Sequence, residues 1–448
     1  MTTELLPNIR AGRLSAQDYA ARFGDATPRL THSQALLEAE RCLYCFDAPC
    51  ATACPTSIDV PSFIKRIADG NLRGSARTIL ESNPLGGMCA RVCPTENLCE
   101  AVCVKQTQEG KPVAIGRLQR HAVDALMDSA QPQIFTRAPV TGKKVAVVGA
   151  GPAGLACAYT LARLGHNVTI FDANPKAGGL NEYGLASYKT PNNFAQREVQ
   201  WLLDIGGIEI KSGYKLDTAA QFDTLRSTHD AVFLGIGLAT THQLGVPGDS
   251  LQGVQDAVDF IATLRQTADL ATLPVGRTVV VIGGGMTAVD AAVQSKLLGA
   301  ESVHMVYRRG PETMTSSRQE QEWAQTNGVT IHHWLAPAEV LGTSGHASGV
   351  RFARQAMVGG KLTPTGEMHE IQADMVLKAI GQQLGNPALA QAGFKLDGGR
   401  MATDAAGLTS VPGVWAGGDC RAGGLDLTVE AVEHGKQSAK AIHAHISA

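Results

Sequence analysis

The stretch Val145-Ala-Val-Val-Gly-Ala-Gly-Pro-Ala-Gly154 decides the fold of most of this chain. Its four leading residues form a continuous apolar run, which is typical of a parallel strand that is buried on both faces. Three glycines follow at once with the spacing Gly-x-Gly-x-x-Gly, at Gly149, Gly151 and Gly154. Strand, glycine turn and helix in this order predict a Rossmann-like α/β domain that binds a dinucleotide.

Each of these glycines has a role in the predicted site. The first allows the turn, the second lets backbone amides approach a pyrophosphate, and the third allows the helix to pack closely on the strand. The N-terminus of that helix stabilises the phosphate charge. Asp172 ends the next predicted strand, 168–171, and is expected to accept hydrogen bonds from an adenosine ribose.

A second copy of the pattern begins about 130 residues later. The apolar strand 279–282 precedes four residues that are expected to bind a nicotinamide dinucleotide, namely Gly283, Gly285, Thr287 and Ala288. The following strand, 302–306, leads to Arg308 and Arg309 and not to an acidic residue. Guanidinium groups there favour the 2′-phosphate of NADPH, and stacking on adenine or a solvated loop are the alternatives for them.

The C-terminal stretch 411–419 is a short apolar strand ending in Gly418-Asp419, and a helix is expected to begin at Thr428. This order resembles the second FAD fingerprint of flavoproteins with two dinucleotide-binding domains; an ordinary surface turn is the alternative. The resemblance assigns FAD to the first glycine turn, and it places Gly179 and Leu180 in a loop that covers the flavin. The prediction is therefore an FAD-binding domain over 140–246 and 381–448, with an NAD(P)H-binding domain, 247–380, inserted in it.

Eight of the ten cysteines lie within 62 residues near the N-terminus. They form two sets, Cys42-x2-Cys45-x4-Cys50-x3-Cys54-Pro and Cys89-x3-Cys93-Pro-x5-Cys99-x3-Cys103. Cysteine-proline pairs at this density are typical of two 4Fe–4S clusters. Zinc sites favour paired Cys-x2-Cys motifs, which only the first pair matches, and disulfides are rare in reduced compartments.

Two-cluster ferredoxins predict how the thiols are shared, because the last cysteine of a set ligates the other cluster. The first cluster would then be held by Cys42, Cys45, Cys50 and Cys103. The second would be held by Cys54, Cys93 and Cys99, with Cys89 as one option for the fourth ligand. Short helices with caps at Thr31 and Asp59 surround these residues, so 1–135 is predicted to be an α-helical iron–sulfur domain.

Composition narrows the function classes. The 448 residues carry a net charge of -2, which gives no electrostatic reason to bind nucleic acid or an anionic membrane. No apolar signal segment and no 18-residue apolar run is present in the sequence, so neither secretion nor a membrane span is expected. We therefore expect a cytoplasmic protein whose thiols are available for metal.

The whole chain resembles the electron-input half of dihydropyrimidine dehydrogenases and, more broadly, glutamate synthase small subunits. The matching stretches are Glu40-Arg-Cys-Leu-Tyr-Cys-Phe-Asp-Ala-Pro-Cys50, Asn83-Pro-Leu-Gly86, Cys93-Pro-Thr-x3-Cys99 and Ile115-Gly-x-Leu-Gln119. In dihydropyrimidine dehydrogenases a glutamine completes the second cluster, which implies Gln119 as the fourth ligand, with Cys89 as the alternative. Glutamate synthase relatives usually have a glutamate there.

The resemblance implies an NAD(P)H-dependent oxidoreductase. NAD(P)H would reduce FAD, the two clusters would carry single electrons, and a separate FMN-containing subunit would reduce uracil or thymine. Hydride transfer between cofactors depends on positioning, so no catalytic side chain is assigned, and Tyr183 and Lys189 are given no catalytic role.

Three other classes remain as alternatives. A glutamate synthase small subunit would pass electrons to a glutamine-dependent partner. A thioredoxin-reductase type would need a redox Cys-x-x-Cys near the flavin, yet no cysteine lies between Cys157 and Cys420. A non-enzymatic iron–sulfur protein is the third alternative, but it would not explain the two dinucleotide-binding fingerprints.

Overall fold

A computed structural model describes residues 8–386, 389 and 392–448. The predicted domain 1–135 therefore begins outside the described residues, and the predicted segment 381–448 includes four residues that are not described. The helices are α1 (Ala16–Arg22), α2 (His32–Ala39), α3 (Pro49–Thr52), α4 (Val60–Ala68), α5 (Leu72–Ser82), α6 (Gly86–Val92), α7 (Val104–Glu109), α8 (Ile115–Met127), α9 (Pro152–Arg163), α10 (Leu180–Tyr183), α11 (Phe194–Leu203), α12 (Ala219–Thr228), α13 (Ala257–Gln266), α14 (Met286–Leu297), α15 (Arg318–Thr326) and α16 (Thr428–Ser447).

The strands follow the same chain order. They are β1 (Lys144–Val148), β2 (Asn167–Asp172), β3 (Ile208–Ser212), β4 (Ala231–Leu234), β5 (Thr240–Thr241), β6 (Val254–Asp256), β7 (Thr278–Ile282), β8 (Ser302–Val306), β9 (Val329–His332), β10 (Leu335–Thr343), β11 (His346–Val358), β12 (Lys361–Gln372), β13 (Met375–Lys378), β14 (Gln382–Gln383), β15 (Leu396–Asp397), β16 (Arg400–Met401) and β17 (Val414–Ala416). The four strands predicted beside the two glycine turns are confirmed as β1, β2, β7 and β8.

The chain forms two compact units. The larger unit comprises Thr27–Glu182, Asn192–Thr240 and Gln383–Ala448, and the smaller unit comprises Met1–Ala26, Tyr183–Pro191 and Thr241–Gln382. No helix among the described residues is long and apolar enough to cross a membrane.

The first part of the larger unit is helical, as predicted for the cysteine-rich segment. Thr31 caps α2 through a reciprocal capping box with Gln34, and the Asp59 side chain accepts the amide of Ser62 at the start of α4. Both caps were predicted, because short polar side chains satisfy the free amides of a first helical turn. The apolar faces of α4, α5 and α8 meet in a core that includes Phe63, Ile79 and Leu118, which are fully buried.

The second part of the larger unit is a parallel sheet with the strand order β17-β4-β1-β2-β3. Its central strand β1 pairs with β2 and β4. Val145 and Val147 pack in a core with residues of α9 and α16, and Ala146 and Val148 pack in a second core with residues of α12. Strand β17, from the C-terminal segment, pairs with β4. Strands β6 to β13 lie between β4 and β17 in the sequence, and they belong to the smaller unit.

The smaller unit holds a second parallel sheet with the order β6-β13-β7-β8-β9. It also holds an antiparallel sheet of β10, β11 and β12, which the sequence analysis did not predict. These strands were not predicted, because apolar and polar residues do not alternate regularly along them. Two register shifts also interrupt the pairing of β10 with β11.

Residues 1–26 were assigned to the iron–sulfur domain, and their described part lies in the smaller unit instead. Ile9 and Tyr19 bury their side chains in the core of that unit, and the Arg10 amide donates to the carbonyl of Val275. The segment 183–191 also belongs there, because the Lys189 ammonium pairs with Asp290 at 2.7 Å and Glu320 at 2.6 Å. Lys189 is thus an anchor of this segment.

Candidate cofactor-binding sites

A cavity in the helical part of the larger unit is lined by four thiols, those of Cys42, Cys45, Cys50 and Cys103. The remaining wall is mostly apolar and includes Ile64. Burial, together with the nearby thiols of Cys103 and Cys42, raises the pKa of Cys50 to about 11. Cationic iron would reverse this shift, because a coordinated thiol is deprotonated. The four residues predicted for the first cluster are therefore brought together around one space.

The second thiol group contains Cys93, Cys99 and Cys54. The pKa of Cys93 is raised by a hydrogen bond with the Cys89 thiol, by burial, and by the charges of Cys89, Cys99 and Cys54. Burial also raises the pKa of Cys99, and Glu100 and Cys54 add to the shift. Such mutual effects require short distances, so these thiols share a neighbourhood that includes Cys89.

Gln119 is buried on α8, and its Nε2 donates a hydrogen bond to the carbonyl of Gly86 at 2.7 Å. A carbonyl can only accept, so this bond fixes which end of the amide faces Gly86. The described residues give the amide oxygen of Gln119 no donor. Its orientation suits a side chain whose oxygen is a ligand, and Cys89 provides a thiol in the same region.

Three non-glycine residues near the first thiol set have left-handed backbone conformations. Their φ angles are 51° at Tyr44, 29° at Ala48 and 52° at Ser57. Such conformations are uncommon outside glycine, and they concentrate where function fixes the backbone. These backbone conformations determine the path of the chain beside Cys45, Cys50 and Cys54.

The first glycine turn of the larger unit has the geometry of a phosphate cradle. Gly149 has a φ of +99°, and a β-carbon on Gly154 would lie 1.9 Å from the Gly149 carbonyl oxygen. A β-carbon on Gly151 would meet only the α-carbon of Gly179, at 3.8 Å, which is an ordinary van der Waals contact. The predicted roles fit this geometry, because the first and third glycines are forced by contacts and the second leaves room for a ligand.

Asp172 lies at the end of β2, beside this turn. Its Oδ2 accepts the amide of Ala150 at 2.6 Å, and its Oδ1 accepts the amide of Asn174 at 2.7 Å. The carboxylate therefore braces the glycine turn, and each oxygen keeps a second lone pair for a ribose hydroxyl. This bracing role was not predicted.

Gly418 and Asp419 follow β17 near the start of α9. Gly418 has a φ of +74°, and its amide donates to Nδ1 of His434 at 3.3 Å. Burial lowers the pKa of His434 to about 4, so the imidazole is neutral at pH 7 and can accept this bond. Burial raises the pKa of Asp419 to about 6, and the charge of Asp426 adds to the shift.

The start of α16 contacts the loop that contains Gly179 and Leu180. Thr428, the first residue of α16, donates its hydroxyl to Oδ1 of Asn181 at 2.9 Å. Gly179 approaches the first glycine turn, since a β-carbon on it would lie 2.7 Å from Gly151. All the residues predicted to bind FAD thus belong to one surface of the larger unit. Sequence reasoning missed His434, which belongs to no motif, and it gave no role of its own to Asn181, which lies in the predicted flavin-covering loop.

The second glycine turn, in the smaller unit, repeats this geometry. A β-carbon on Gly283 would lie 2.2 Å from the carbonyl oxygen of Ala379, and Ala288 is buried in the first turn of α14. Ser316 donates through its amide and hydroxyl to the carbonyl of Gly284, at 3.1 and 3.0 Å. Thr287, half-buried, lies in the same helical turn as Ala288. Ser316 is a neighbour of the turn that the sequence analysis did not identify.

Arg308 and Arg309 follow β8 and are exposed. Across the described part of the chain, neither guanidinium forms an ion pair or a side-chain hydrogen bond, and only the Arg309 carbonyl is engaged, by the Trp334 amide. The two positive charges are available to a ligand at the end of the strand that follows the glycine turn.

Two protein-family models match the chain. The pyridine nucleotide-disulphide oxidoreductase model matches residues 143–435, and the model for dihydropyrimidine dehydrogenase domain II, with a 4Fe-4S cluster, matches residues 19–131. These matches cover the two dinucleotide sites and both cysteine sets.

Similar proteins agree with this division. A homologue of the NAD-dependent dihydropyrimidine dehydrogenase subunit PreT from Salmonella typhi is 34% identical over 94% of this chain and 97% of its own length. PreT of Escherichia coli K12 gives the same values. The small chain of the NADPH glutamate synthase from Escherichia coli K12 is also 34% identical, over 92% of this chain and 91% of its own length.

Solved structures share the fold of the flavin and nucleotide regions. FprA of Mycobacterium tuberculosis in complex with NADPH has a TM-score of 0.58 at 17% identity, and it covers 69% of this chain and 85% of its own. Thioredoxin reductase of Lactococcus lactis has a TM-score of 0.53 at 20% identity, with coverage of 68% and 99%. At these identities the likeness concerns the fold alone.

The chain is an NAD(P)H-dependent oxidoreductase with flavin, nicotinamide and 4Fe–4S binding regions, as its sites and both family models show. The predicted resemblance is confirmed along nearly the whole chain. This protein belongs to the pyridine nucleotide-disulphide oxidoreductase family, among the members that carry an N-terminal dihydropyrimidine dehydrogenase iron–sulfur domain, together with PreT and the glutamate synthase small chains.

Proposed function

We propose that this chain is the electron-input subunit of a two-subunit dihydropyrimidine dehydrogenase. It oxidises NAD(P)H through FAD and two 4Fe–4S clusters, and it passes electrons to an FMN-containing partner that reduces uracil or thymine to 5,6-dihydropyrimidines. The observation that carries the proposal is Gln119, whose amide is bonded through Nε2 to Gly86 at the start of α6, the helix that leads into Cys93, in a chain similar to PreT over nearly its full length.

The residues of the chain hold and orient the cofactors. The turn Gly149–Gly154 and the start of α9 would hold the FAD pyrophosphate, with Asp172 near the ribose and Asp419 near the ribityl chain. The N-terminus of α16 at Thr428 would stabilise negative charge on the flavin ring. FAD, when bound, accepts hydride from the nicotinamide and releases single electrons. The turn Gly283–Ala288 would hold the nicotinamide dinucleotide.

The two thiol groups would carry one cluster each. Cys42, Cys45, Cys50 and Cys103 would hold the first, and Cys54, Cys93, Cys99 and Gln119 would hold the second. We further propose that the protein works in the cytoplasm, where these thiols remain reduced, and that electrons leave it for the partner subunit. The description of PreT as a subunit supports a partner of this kind.

A glutamate synthase small subunit is the second candidate, because the chain is equally identical to that protein. Purification of the chain from its native source with its bound partner separates the two. FMN in the complex together with NAD(P)H-dependent loss of uracil supports the dehydrogenase. Glutamate formed from glutamine and 2-oxoglutarate, without uracil reduction, refutes it.

Replacing Gln119 by alanine is expected to change the electron paramagnetic resonance signal of one reduced cluster and to leave the other unchanged. The reason is that only the second thiol group loses a ligand. Cys89→Ala is the matched control and should leave both signals as in the wild type. The opposite pattern would make Cys89 the ligand.

Replacing Arg308 and Arg309 together by glutamine is expected to raise the Michaelis constant for NADPH about tenfold and to change that for NADH little. A charged hydrogen bond to phosphate contributes about 1.5 kcal/mol or more, which is about tenfold in affinity. Steady-state reduction of a dye with each nucleotide measures this. Arg354→Gln, an exposed arginine on β11, is the control. Equal effects on both nucleotides would remove the 2′-phosphate assignment.

A further inference from the structure

A fully buried carboxyl group, that of Glu198, joins α11 to the first turn of α6. Glu198 is 0% exposed, and its Oε1 accepts the amides of Gly87 at 2.7 Å and Met88 at 3.1 Å. A β-carbon on Gly87 would lie 2.5 Å from the ring of Phe194 and 2.8 Å from Oε1 of Glu198. The Glu198 carboxyl group therefore packs closely against the backbone of the first turn of α6.

The same turn positions two proposed ligands of the second cluster. The carbonyl of Gly86 accepts the amide of Gln119 at 2.7 Å, and α6 leads directly into Cys93. Met88 and Cys93 are about 7.5 Å apart along the axis, at 1.5 Å per helical residue. Glu198 thus holds the first turn of α6, which leads into Cys93 and accepts the amide of Gln119 from α8.

The charged groups that face Glu198 lie on α6 and α8. Arg91 of α6 pairs with Asp124 of α8 at 2.6 Å, and Arg120 lies 3.4 Å from the other oxygen of Asp124. These side chains are all less than a tenth exposed. Arg197 on α11 pairs with Asp128 instead. Tyr159 on α9 is neutral, because burial raises its pKa. Two buried cations are therefore balanced only when both carboxyl groups are ionised.

Burial raises the pKa of Glu198 to about 8. The amides of Met88 and Gly87 and the charge of Arg91 lower it, and the charge of Asp124 raises it. The Glu198 carboxyl group therefore changes its charge in a pH range where the protein can be studied. An additional negative charge nearby would favour its protonated form.

We infer that Glu198 is a redox-linked proton site for the second cluster. Above about pH 8, where the carboxyl group is ionised in the oxidised protein, it takes up one proton from solvent as one electron enters that cluster, and it releases the proton as the electron leaves. One positive and one negative charge enter together, so the net charge of the buried region is unchanged. The inference rests on the proposed assignment of two clusters.

Mediated redox titration of the anaerobic holoprotein, followed by electron paramagnetic resonance at pH 7, 8, 9 and 10, tests this. Below about pH 8 the carboxyl group is protonated in both redox states, so the potential of the second cluster should not vary. At higher pH only the reduced state keeps the proton, so the potential should fall by up to about 59 mV per pH unit, the tenfold step of a one-electron couple. The first cluster provides an internal reference with no slope.

Glu198→Gln keeps the shape and still accepts the two amides, but it cannot titrate. It should show the wild-type potential at pH 7 and the same value at pH 10. Glu38→Gln, in the same unit, is the matched control and should retain the wild-type slope. In infrared difference spectra at pH 9, a protonated-carboxyl band should appear on reduction of the wild type and be absent from Glu198→Gln.

The inference is overturned if the potential of the second cluster in the wild-type protein is constant from pH 7 to 10. This measurement uses the wild-type protein alone, so it does not depend on the folding of a variant. A slope that persists in Glu198→Gln overturns it as well. Both results leave the proposed function standing. A holoprotein with only one cluster signal would overturn the two-cluster assignment and the inference together.

Discussion

Replacing Gly151 by valine is expected to yield a folded chain that retains less than about a tenth of the wild-type FAD. The new β-carbon would meet only the α-carbon of Gly179, at 3.8 Å, so the backbone tolerates it. The side chain would occupy the space of the pyrophosphate and block the backbone amides. Flavin absorbance per chain after desalting measures the effect.

Gly285→Val is the matched variant in the second glycine turn. It should keep the full FAD content and lose reduction by NAD(P)H, because only the nicotinamide site is filled. Circular dichroism and thermal unfolding should show both variants folded. Normal FAD content in Gly151→Val would mean that the first turn is not the FAD site.

Replacing Cys50 by serine is expected to halve the iron content, from about eight to about four atoms per chain, because one of two 4Fe–4S clusters is lost. Electron transfer from NAD(P)H to the partner subunit should fall by more than about 100-fold, since even outer-shell partners of a metal site contribute about 10–100-fold. Reduction of a dye that takes electrons from FAD should change little.

Cys157→Ala is the control for this variant, because Cys157 is buried in α9, away from the thiol groups. It should keep all the iron and the full rate to the partner. A Cys50→Ser chain with unchanged iron would exclude Cys50 as a ligand. Loss of all iron would show that the two clusters assemble as one unit.

Local signals in the sequence predicted much of the fold. The apolar run ending at Val148 and the glycines after it predict a strand and a turn within ten residues, and the close contact at Gly154 is local, because a β-carbon there would lie 1.9 Å from the Gly149 carbonyl oxygen. The caps at Thr31 and Asp59 are likewise set within three residues of the helix start. These features do not depend on distant parts of the chain.

Other features depend on contacts between distant residues. The contact of Glu198 with Gly87 spans 111 residues, and that of Asn181 with Thr428 spans 247. Glu198 belongs to no motif, and the loop that contains Asn181 does not indicate a contact with Thr428, so the sequence spacing predicted neither contact. The packing of residues 8–26 in the smaller unit was not predicted for the same reason, because the burial of Ile9 and Tyr19 cannot be inferred from their neighbours in sequence.

The iron–sulfur sites fall between these two cases. Spacing predicted the grouping of Cys42, Cys45, Cys50 and Cys103, and the structure places these thiols around one cavity. The fourth ligand of the second cluster depended on family resemblance, because a single glutamine on a helix has no distinctive pattern. The orientation of the Gln119 amide became visible only in three dimensions.

Chemical analysis of the anaerobically purified chain tests the central claim most directly. The account predicts about eight iron atoms and eight acid-labile sulfides per chain, four of each for every cluster, together with one FAD. A folded chain with neither labile sulfide nor a yellow flavin would contradict it.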